Sequence, residues 1–249
     1  MGSTEIICED YIPQKQTTPP SISENSVYIW VLKISSHLDA LSGFNHVLSK
    51  DEVTRSAKYR LLKDTQSFVI RRGILRCLLA KYTQCKPREI EFAVGPNRKP
   101  ILKAAEHPVY FNVSHSNDLT LIALASSEVG IDVEQVSYDF EYYDILKNAF
   151  SSNEISIIES NENPRKLFFS LWTRKEAVLK ATSKGLDDHL TLIPCLDGKQ
   201  MLDTELLGNN SAWTVRSFSP DEFYEASIAH QTGLQVKLID FLPEHLMNH

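Results

Sequence analysis

Short apolar segments with the two-residue period of β-strands alternate with helical segments along this chain, and the alternation restricts the fold to a mixed α/β class. The 249 residues suffice for one large domain or two small ones. Residues 126–128 are predicted to be a short hairpin connection between two adjacent strands. The predicted strands are residues 27–32, 90–94, 109–113, 119–125, 129–133, 213–218, 225–229 and 236–241.

Composition suggests three parts of the chain. Residues 1–25 are polar and contain Pro13, Pro19 and Pro20, so we expect a flexible N-terminal arm. A boundary near residue 125 would divide the remainder into an N-terminal half, residues 26–125, and a C-terminal half, residues 126–249. No linker composition marks this boundary. Within the N-terminal half, Ser49 and Glu52 form a capping box that predicts a helix start.

Charge and composition narrow the class of partner. The net charge is −6, from 26 Lys and Arg and 32 Asp and Glu, which argues against nucleic acid as a binding partner. No apolar run approaches the roughly 20 residues that span a bilayer, so no membrane is expected. The four cysteines form no C-x-x-C pair and are expected to be free thiols in a reducing compartment. These features predict a cytoplasmic location.

Two acidic residues on one predicted strand are the strongest candidates for chemistry. Because side chains alternate across a strand, Asp132 and Glu134 point to the face opposite Val129, Ile131 and Val133. Neighbouring carboxylates repel each other, and they either hold a proton more tightly or bind a cation. Mg²⁺ prefers such oxygen ligands. Taken alone, the pair is more typical of a solvent-exposed strand face.

A helix further along the chain strengthens the case. Asn163 is a good N-cap and Pro164 suits the first helical position, so a helix is predicted to about residue 183, with Gly185 as its stop. On this helix Glu176 and Lys180 are four residues apart and share a face. The same spacing is also typical of a salt bridge on an exposed helix.

Other polar residues could contact phosphate groups from loops and helix faces. Each also has a plainer explanation, as an exposed turn, a surface histidine or a structural side chain. These candidates are Ser114 and His115 after a strand, Arg98 and Lys99 in a turn-rich loop, and Arg72 and Arg76 on one helix face.

Four motifs in sequence order resemble the Sfp-type 4′-phosphopantetheinyl transferase family. The resemblance covers roughly residues 68–186, and no motif matches in residues 1–25 or after Pro194. The motifs are GPNRKP at residues 95–100, FNVSHS at 111–116, GIDVE at 130–134, and WTRKEAVLK at 172–180 with KGL at 184–186.

The resemblance implies a fold and an activity. The family has two similar α/β halves in one chain, related by a pseudo-twofold axis, with coenzyme A in the cleft between them. Such a pseudodimer is expected to act as a monomer. The enzymes transfer the 4′-phosphopantetheine arm of coenzyme A to a serine of an apo acyl or peptidyl carrier protein, and they release 3′,5′-ADP. The expected roles are in fatty-acid, polyketide or non-ribosomal peptide biosynthesis.

The resemblance also implies residue roles. The metal site would be formed by Asp132, Glu134 and Glu176, which would hold Mg²⁺, or alternatively Mn²⁺, on the coenzyme A pyrophosphate. Lys180 would contact the pyrophosphate and stabilise the leaving phosphate, with Lys175 nearby. The remaining contacts to coenzyme A would come from Ser114, His115, Arg98, Lys99, Arg72 and Arg76.

Several alternatives remain open from the sequence. The acceptor serine must lose its proton, and Glu176 could accept it directly or through a water held by the metal. The same acids and lysines would serve a Mg²⁺-dependent nucleotide pyrophosphatase. A non-catalytic coenzyme A-binding protein is a third hypothesis, although the complete acidic set and Lys180 argue against it.

Overall fold

The computed structural model describes residues 3–12, 15–16, 25–103, 109–184, 190–207 and 211–242. The strands are β1 (Ser3–Asp10), β2 (Lys15–Gln16), β3 (Ser26–Lys33), β4 (Phe92–Val94), β5 (Pro100–Leu102), β6 (Tyr110–Ser116), β7 (Leu119–Ala125), β8 (Val129–Gln135), β9 (Gly198–Asp203), β10 (Trp213–Asp221), β11 (Tyr224–Gln231) and β12 (Gln235–Asp240). The α-helices are α1 (Leu41–Val47), α2 (Lys50–Ser56), α3 (Leu62–Thr83), α4 (Tyr143–Ala149), α5 (Ser152–Glu159), α6 (Pro164–Thr182) and α7 (Thr204–Leu207).

Two five-stranded sheets organise the described part of the chain. The first sheet has the strand order β2-β12-β3-β7-β6, and the second has the order β8-β11-β10-β1-β9. Each contains a strand, a long helix and then a hairpin whose second strand pairs with the initial strand: β3, α3 and β6–β7 in one, β8, α6 and β10–β11 in the other. The predicted α/β fold with two similar halves is confirmed, and the pseudo-twofold axis stays a prediction.

The core consists of three apolar layers that the strand alternation creates. Ile29 and Leu121 of the first sheet pack against Ile131 and Ile228 of the second. On the outer face of the first sheet, Trp30 packs against α3. On the outer face of the second sheet, the apolar side of α6 packs against residues of β1 and β10. Both long helices therefore cover a sheet, and the sheets pack face to face.

Part of the predicted N-terminal arm, residues 3–10, is a strand in the structure. β1 lies inside the second sheet, parallel to β10 and antiparallel to β9. Ile6 and Cys8 are almost fully buried there. The reason is the alternation of apolar and polar residues in β1, which fits a strand with one buried face. Residues 13–14 and 17–24 lie outside the described residues.

The predicted boundary near residue 125 does not separate the two sheets. β12, close to the end of the described chain, pairs in parallel with β3 in the first sheet. β1, at its beginning, belongs to the second sheet. Each half therefore contains one strand from the opposite end of the chain, so the ranges 26–125 and 126–249 are not the structural halves.

The predicted hairpin between β7 and β8 is also wrong. β8 pairs with β11 in the second sheet, whereas β7 pairs with β3 and β6 in the first. Residues 126–128 therefore carry the chain from one sheet to the other. Neighbouring apolar segments indicated two strands correctly, but they could not indicate which strands would pair.

The helix caps follow the local sequence. Ser49 and Glu52 form the predicted capping box at the start of α2. At the start of α6, the Asn163 side chain accepts the backbone N–H of Lys166, and Pro164 occupies the first turn. The helix ends at Thr182, with Ser183 in the left-handed region, while Gly185 lies outside the described residues. Across the parts of the chain described, no helix is long and apolar enough to cross a membrane.

Candidate active site

A close contact between β8 and α6 builds the site. Gly130 faces α6, and a Cβ atom at this position would lie 2.1 Å from the Ala177 carbonyl oxygen and 2.2 Å from the Ala181 nitrogen. Only glycine permits this approach. Because strand side chains alternate, Asp132 and Glu134 face α6 as well, and the close packing brings them towards Glu176 and Lys180.

Side chains of β6 hold the free edge of β8. Asn112, Ser114 and Ser116 accept backbone N–H groups of alternate β8 residues, at 2.9, 3.3 and 3.1 Å. These side chains take the place of a neighbouring strand, since among the described strands β8 pairs only with β11, on its other side. The edge of the strand that carries the acidic residues is thereby fixed relative to the first sheet.

The same hydroxyl groups contact the acids. Ser114 donates to Oδ1 of Asp132 at 2.8 Å, and Ser116 donates to Oε2 of Glu134 at 2.9 Å. The Lys180 ammonium lies 2.5 Å from Asp132 Oδ1 and 3.1 Å from the Ser114 hydroxyl. The structure therefore brings Asp132, Glu134, Ser114 and Lys180 together.

Negative charge exceeds positive charge in this cluster. Burial, and then the charge of Asp132, raise the pKa of Glu176 to about 7, although Lys180 opposes the shift. Burial and Asp132 also raise the pKa of Glu134. Oδ2 of Asp132 and Oε1 of Glu176 are buried, and neither has a hydrogen-bond partner within the described residues. Uncompensated buried oxygens of this kind are costly unless a ligand satisfies them.

The carboxylate oxygens of this cluster suit a hard divalent cation, although they do not converge on one binding position. Within the described residues, no group of three or more His, Cys, Asp or Glu side chains is arranged so that it could hold a metal ion. The Lys180 ammonium supplies the positive charge beside Asp132. The two unpartnered carboxylate oxygens and the surplus negative charge are the features that an oxygen-coordinated cation would satisfy.

His115 lies beside this cluster, and an arginine that the sequence analysis missed lies close to it. His115 is exposed at the surface. Desolvation of its ring is the largest cause that lowers its pKa, and the charges of Arg71 and Lys180 lower the pKa further. Arg71 is half-buried on α3 and has no hydrogen bond or ion pair among the described residues. Its only sequence signal was its place beside Arg72.

The structure does not bring Arg72 and Arg76 to the acidic cluster. Arg76 is 2% exposed, and its guanidinium donates to Glu52 at 2.6 Å and to the Ile90 carbonyl at 2.9 Å. Arg72 pairs with the same Glu52 and lies 3.6 Å from the centre of the Phe92 ring. These contacts correct the predicted coenzyme A contact of Arg76, because its donors are used inside the protein.

Lys175 is likewise buried away from the cluster. It is 0% exposed, and its ammonium lies 3.1 Å from Glu154 Oε2 and donates to the carbonyls of Leu190 and Ile193 at 3.0 and 2.5 Å. A pyrophosphate cannot reach an ammonium enclosed in this way. The predicted contact of Lys175 with coenzyme A is therefore replaced by a structural role.

The loop with Arg98 and Lys99 lies at the C-terminal end of α6. Lys99 donates to Glu128 and to the Val129 carbonyl, both at 3.2 Å. It lines a cleft of about 410 Å³ together with residues of β5, β6 and the end of α6. Arg98 is exposed beside it, with a backbone φ of 62°.

A second residue that the sequence analysis missed places another carboxylate beside Glu134. Glu225 on β11 is the cross-strand partner of Glu134 and is 4% exposed. Burial raises its pKa, and it lies 2.9 Å from the Ser219 hydroxyl and 3.4 Å from the Lys166 ammonium. The strand pairing needed to find it was not available from the sequence.

An acidic, oxygen-only cluster with Lys180, His115 and Arg71 beside it is typical of proteins that act on phosphorylated substrates. Comparison with known proteins makes this class specific. A family model described as the 4′-phosphopantetheinyl transferase superfamily matches residues 128–229, and one described as the 4′-phosphopantetheinyl transferase N-terminal region matches residues 35–128.

Individual relatives agree. The 4′-phosphopantetheinyl transferase HetI of Nostoc sp. is 30% identical over 222 residues, which cover 85% of this chain and 91% of that protein. A candidate 4′-phosphopantetheinyl transferase of Synechocystis sp. is 36% identical over 169 residues, 66% of this chain and 68% of that protein. The enzyme Sfp of Bacillus subtilis is 23% identical over 190 residues, 74% and 83% of the two chains. The chain belongs to the 4′-phosphopantetheinyl transferase family, which confirms the predicted family and enzyme class.

Proposed function

We propose that this protein transfers the 4′-phosphopantetheine arm of coenzyme A to a serine of an apo acyl or peptidyl carrier protein, in a Mg²⁺-dependent reaction. The serine oxygen bonds to the phosphorus that carries the arm, the bond from that phosphorus to the bridging oxygen breaks, and 3′,5′-ADP leaves. The observation that carries the proposal is the group of Asp132, Glu134 and Glu176 near Lys180, in which two buried carboxylate oxygens have no partner among the described residues.

The three carboxylates would hold Mg²⁺, with Mn²⁺ as an alternative. The unpartnered oxygens of Asp132 and Glu176, and the raised pKa of Glu176 and Glu134, support this assignment. When bound, the ion would neutralise charge on the diphosphate of coenzyme A.

Cationic residues around the cluster would bind the phosphate groups. In the structure the Lys180 ammonium contacts Asp132 and the Ser114 hydroxyl. With coenzyme A bound, Lys180 would bind the diphosphate and stabilise the leaving phosphate. His115 and Arg71 would contact a further phosphate of coenzyme A, since Arg71 is half-buried and forms no ion pair with any described residue. Lys99 and Arg98 would reach the nucleotide end through the cleft that Lys99 lines.

Glu176 is our candidate for the group that accepts the serine proton. A base works best when its pKa lies near the working pH, and burial raises the pKa of Glu176 to about 7. Glu176 would accept the proton directly only through an oxygen that does not hold the metal ion, and otherwise through a water; its Oε1 has no hydrogen-bond partner among the described residues.

The location and assembly follow from the same proposal. The four cysteines are free thiols, which supports the predicted cytoplasmic location. The protein would act as a monomer, because the acids and the cations of one site come from both halves of one chain.

The test is incubation with coenzyme A and Mg²⁺, with and without an apo carrier protein. Mass spectrometry of the carrier should find the added arm, and 3′,5′-ADP should appear only when carrier is present. Release without carrier would instead identify a nucleotide pyrophosphatase, and binding without turnover would identify a coenzyme A-binding protein. Glu176→Gln should lose transfer while keeping the melting temperature. Lys180→Met should lose transfer at a temperature where the variant is folded, because it also leaves buried Asp132 without its cation. Glu159→Gln, at an exposed acid on α5, should keep full activity.

A further inference from the structure

Buried hydroxyl groups lie in the contact between α6 and the second sheet, a place where apolar side chains are the usual choice. Thr173 and Ser227 are 0% exposed, and Ser217 is 2% exposed. Thr173 Oγ1 lies 2.9 Å from Ser227 Oγ, which in turn lies 3.0 Å from Ser217 Oγ. The Arg174 guanidinium donates to Ser217 Oγ at 2.6 Å. A continuous chain of buried polar groups therefore connects α6, β11 and β10.

The hydrogen bonds of this chain have one consistent direction. The Thr173 hydroxyl donates to the Ser170 carbonyl at 2.8 Å, so at its other contact it accepts from Ser227. Ser227 then accepts from Ser217, because each hydroxyl group has a single proton to donate. Ser217 in turn accepts from Arg174. Removing one hydroxyl group therefore leaves a buried neighbour without its partner.

Arg174 anchors the chain to further parts of the second half. Its remaining donors bind Asp10 at 2.9 Å, Asp197 at 2.7 Å and the Cys195 carbonyl at 2.8 Å. The planar guanidinium fixes the directions of all these bonds at once. α6 is therefore tied to the end of β1 and to the residues before β9, as well as to β10 and β11.

The chain reaches the second sheet beside the acidic cluster. Ser227 is the cross-strand partner of Asp132, and Thr173 lies three residues before Glu176 on α6. Residues three apart are neighbours on the surface of a helix. The separation of Glu176 and Asp132 therefore depends on where the contact between Thr173 and Ser227 holds α6 against the sheet.

Apolar packing is enough to hold the other long helix of this fold. α3 contributes Ile70 and Ile74 to an apolar cluster with Ile122 and Leu124 of the first sheet. Apolar contacts are not directional, whereas hydrogen bonds depend on both distance and angle. The hydroxyl groups beneath α6 therefore fix a position of the helix that apolar contacts would leave adjustable.

α6 needs such a restraint because its acid is repelled by the acids of β8. The charges of Asp132 and Glu134 both act against the charge of Glu176. Without a cation, this repulsion favours a wider separation of α6 and β8. A cation binds more tightly when its ligands are already held near one another, because less free energy is then spent on bringing them together.

We propose that Thr173, Ser227 and Ser217 are positioning residues for the candidate metal site. Their hydrogen-bond chain holds Glu176 close to Asp132, and so lowers the free energy needed to gather these carboxylates around a divalent cation. This inference rests on the proposed transferase function and adds residues that act through Glu176 rather than on the substrate. Loss of the chain should weaken cation binding more than it lowers kcat, because excess cation favours the arrangement that binds it.

The experiment measures cation binding directly as well as transfer. Mn²⁺ is the probe, because its electron paramagnetic resonance signal distinguishes the free from the bound ion. The intact protein is titrated with Mn²⁺ in the presence of coenzyme A. The Mg²⁺ concentration for half-maximal transfer and kcat at saturating Mg²⁺ are measured separately. Thr173→Val and Ser227→Ala each remove one hydroxyl group of the chain, and Thr173→Ser keeps it.

The matched control is Ser56→Ala, which removes a buried hydroxyl group from α2 in the first half of the fold. Ser56 is 6% exposed and donates to the Val53 carbonyl at 2.8 Å. This variant and Thr173→Val should each lower the melting temperature by about 2–4 °C. The control therefore separates an effect of lost stability from an effect of the chain.

We expect Thr173→Val and Ser227→Ala each to raise the Kd for Mn²⁺ about tenfold, and the half-maximal Mg²⁺ concentration by the same factor. The kcat at saturating Mg²⁺ should fall by less than about threefold. Thr173→Ser should restore the wild-type Kd, and Ser56→Ala should keep it. The double variant Thr173→Val/Ser227→Ala should raise the Kd about tenfold rather than about a hundredfold, because both changes break the same contact.

A wild-type Kd for Mn²⁺ in Ser227→Ala, or equal effects of Thr173→Val and Ser56→Ala on that Kd, would overturn the inference. Ser227→Ala decides the matter if Thr173→Val does not fold, since it deletes a single oxygen atom. If the wild type neither binds Mn²⁺ with coenzyme A nor transfers the arm, the proposed function itself fails. A wild type that does both, with variants that match it, refutes only the positioning role.

Discussion

Ser114 on β6 donates a hydrogen bond to Asp132 on β8, 2.8 Å away, although the two strands belong to different sheets. The same hydroxyl accepts the Val133 N–H and lies 3.1 Å from the Lys180 ammonium. One side chain therefore joins the first sheet, the acidic strand and α6. The candidate site is built where the two halves of the fold meet, and its geometry depends on both of them.

The hydroxyl of Ser116 should position Glu134. Ser116→Ala removes the bond to Glu134 Oε2 and leaves the Gln135 N–H without its acceptor. We expect the free energy of unfolding to fall by about 1 kcal/mol, and kcat/KM for transfer to fall about tenfold because an orienting contact is lost. Ser116→Thr keeps the hydroxyl and should restore most of the activity. An alanine variant with wild-type kcat/KM and Mg²⁺ dependence would contradict this role.

The contact between Gly130 and α6 should tolerate no side chain. In Gly130→Ala the new Cβ would overlap backbone atoms of Ala177 and Ala181, which cannot rotate away. We expect a loss of about 3 kcal/mol in the free energy of unfolding, measured by urea denaturation, and loss of transfer because Glu176 moves away from Asp132. Gly43→Ala is the control, since its Cβ position on α1 has no described atom within 4 Å apart from its chain neighbours and its own helix backbone. It should be neutral or slightly stabilising.

The buried ion pair of Lys175 and Glu154 should govern stability rather than substrate binding. Lys175→Met leaves the Glu154 carboxylate buried without its cation, and we expect about 3–5 kcal/mol of destabilisation in urea. The double variant Lys175→Met/Glu154→Gln should recover part of this loss, since a neutral amide replaces the unpaired charge.

The coenzyme A KM separates the structural role of Lys175 from a catalytic one. At a temperature where the variants are folded, this KM should equal that of the wild type, because the Lys175 ammonium is enclosed. A large rise in the KM of the double variant would show that Lys175 contacts the substrate after all.

Burial of His230 should make the fold acid-sensitive. The residue is 0% exposed, and burial, the largest cause, lowers its pKa from 6.5 to about 4. The unfolded chain therefore binds the proton first as pH falls. The contribution of neutral His230 to stability is complete above pH 6.5 and is lost progressively towards pH 4, by up to about 3 kcal/mol.

A pH series of urea unfolding curves measures this effect. His230→Gln should have a flatter dependence of the free energy of unfolding on pH between 4 and 6.5 than the wild type. Parallel curves for the two proteins would mean that other groups cause the acid sensitivity.

Local sequence predicted local structure well. The capping box of Ser49 and Glu52, and the Asn163 cap of α6, depend on residues within one helical turn, and both were found where expected. Asp132 and Glu134 share a face for the same reason, since alternation along one strand is a local property. Four motifs also indicated the family before any pairing was known.

Pairings between distant residues were not predictable. Lys175 and Lys180 lie on the same helix, yet one is enclosed by Glu154 and two carbonyls while the other contacts Asp132. Their spacing does not reveal which side of α6 faces the protein interior. Arg71 and Arg72 differ in the same way, because Glu52 pairs with the second and not the first. Similarly, the alternation in β1 was outweighed by the prolines that follow it.

The exchange of terminal strands between the sheets has a consequence for biosynthesis. β3 emerges early from the ribosome, but its parallel neighbour β12 is separated from it by about 200 residues of chain. The first sheet thus keeps an open edge throughout translation, and neither half is complete when expressed as a fragment. Final assembly must follow synthesis of both ends, so a nascent chain that stalls before β12 exposes a strand edge prone to aggregation.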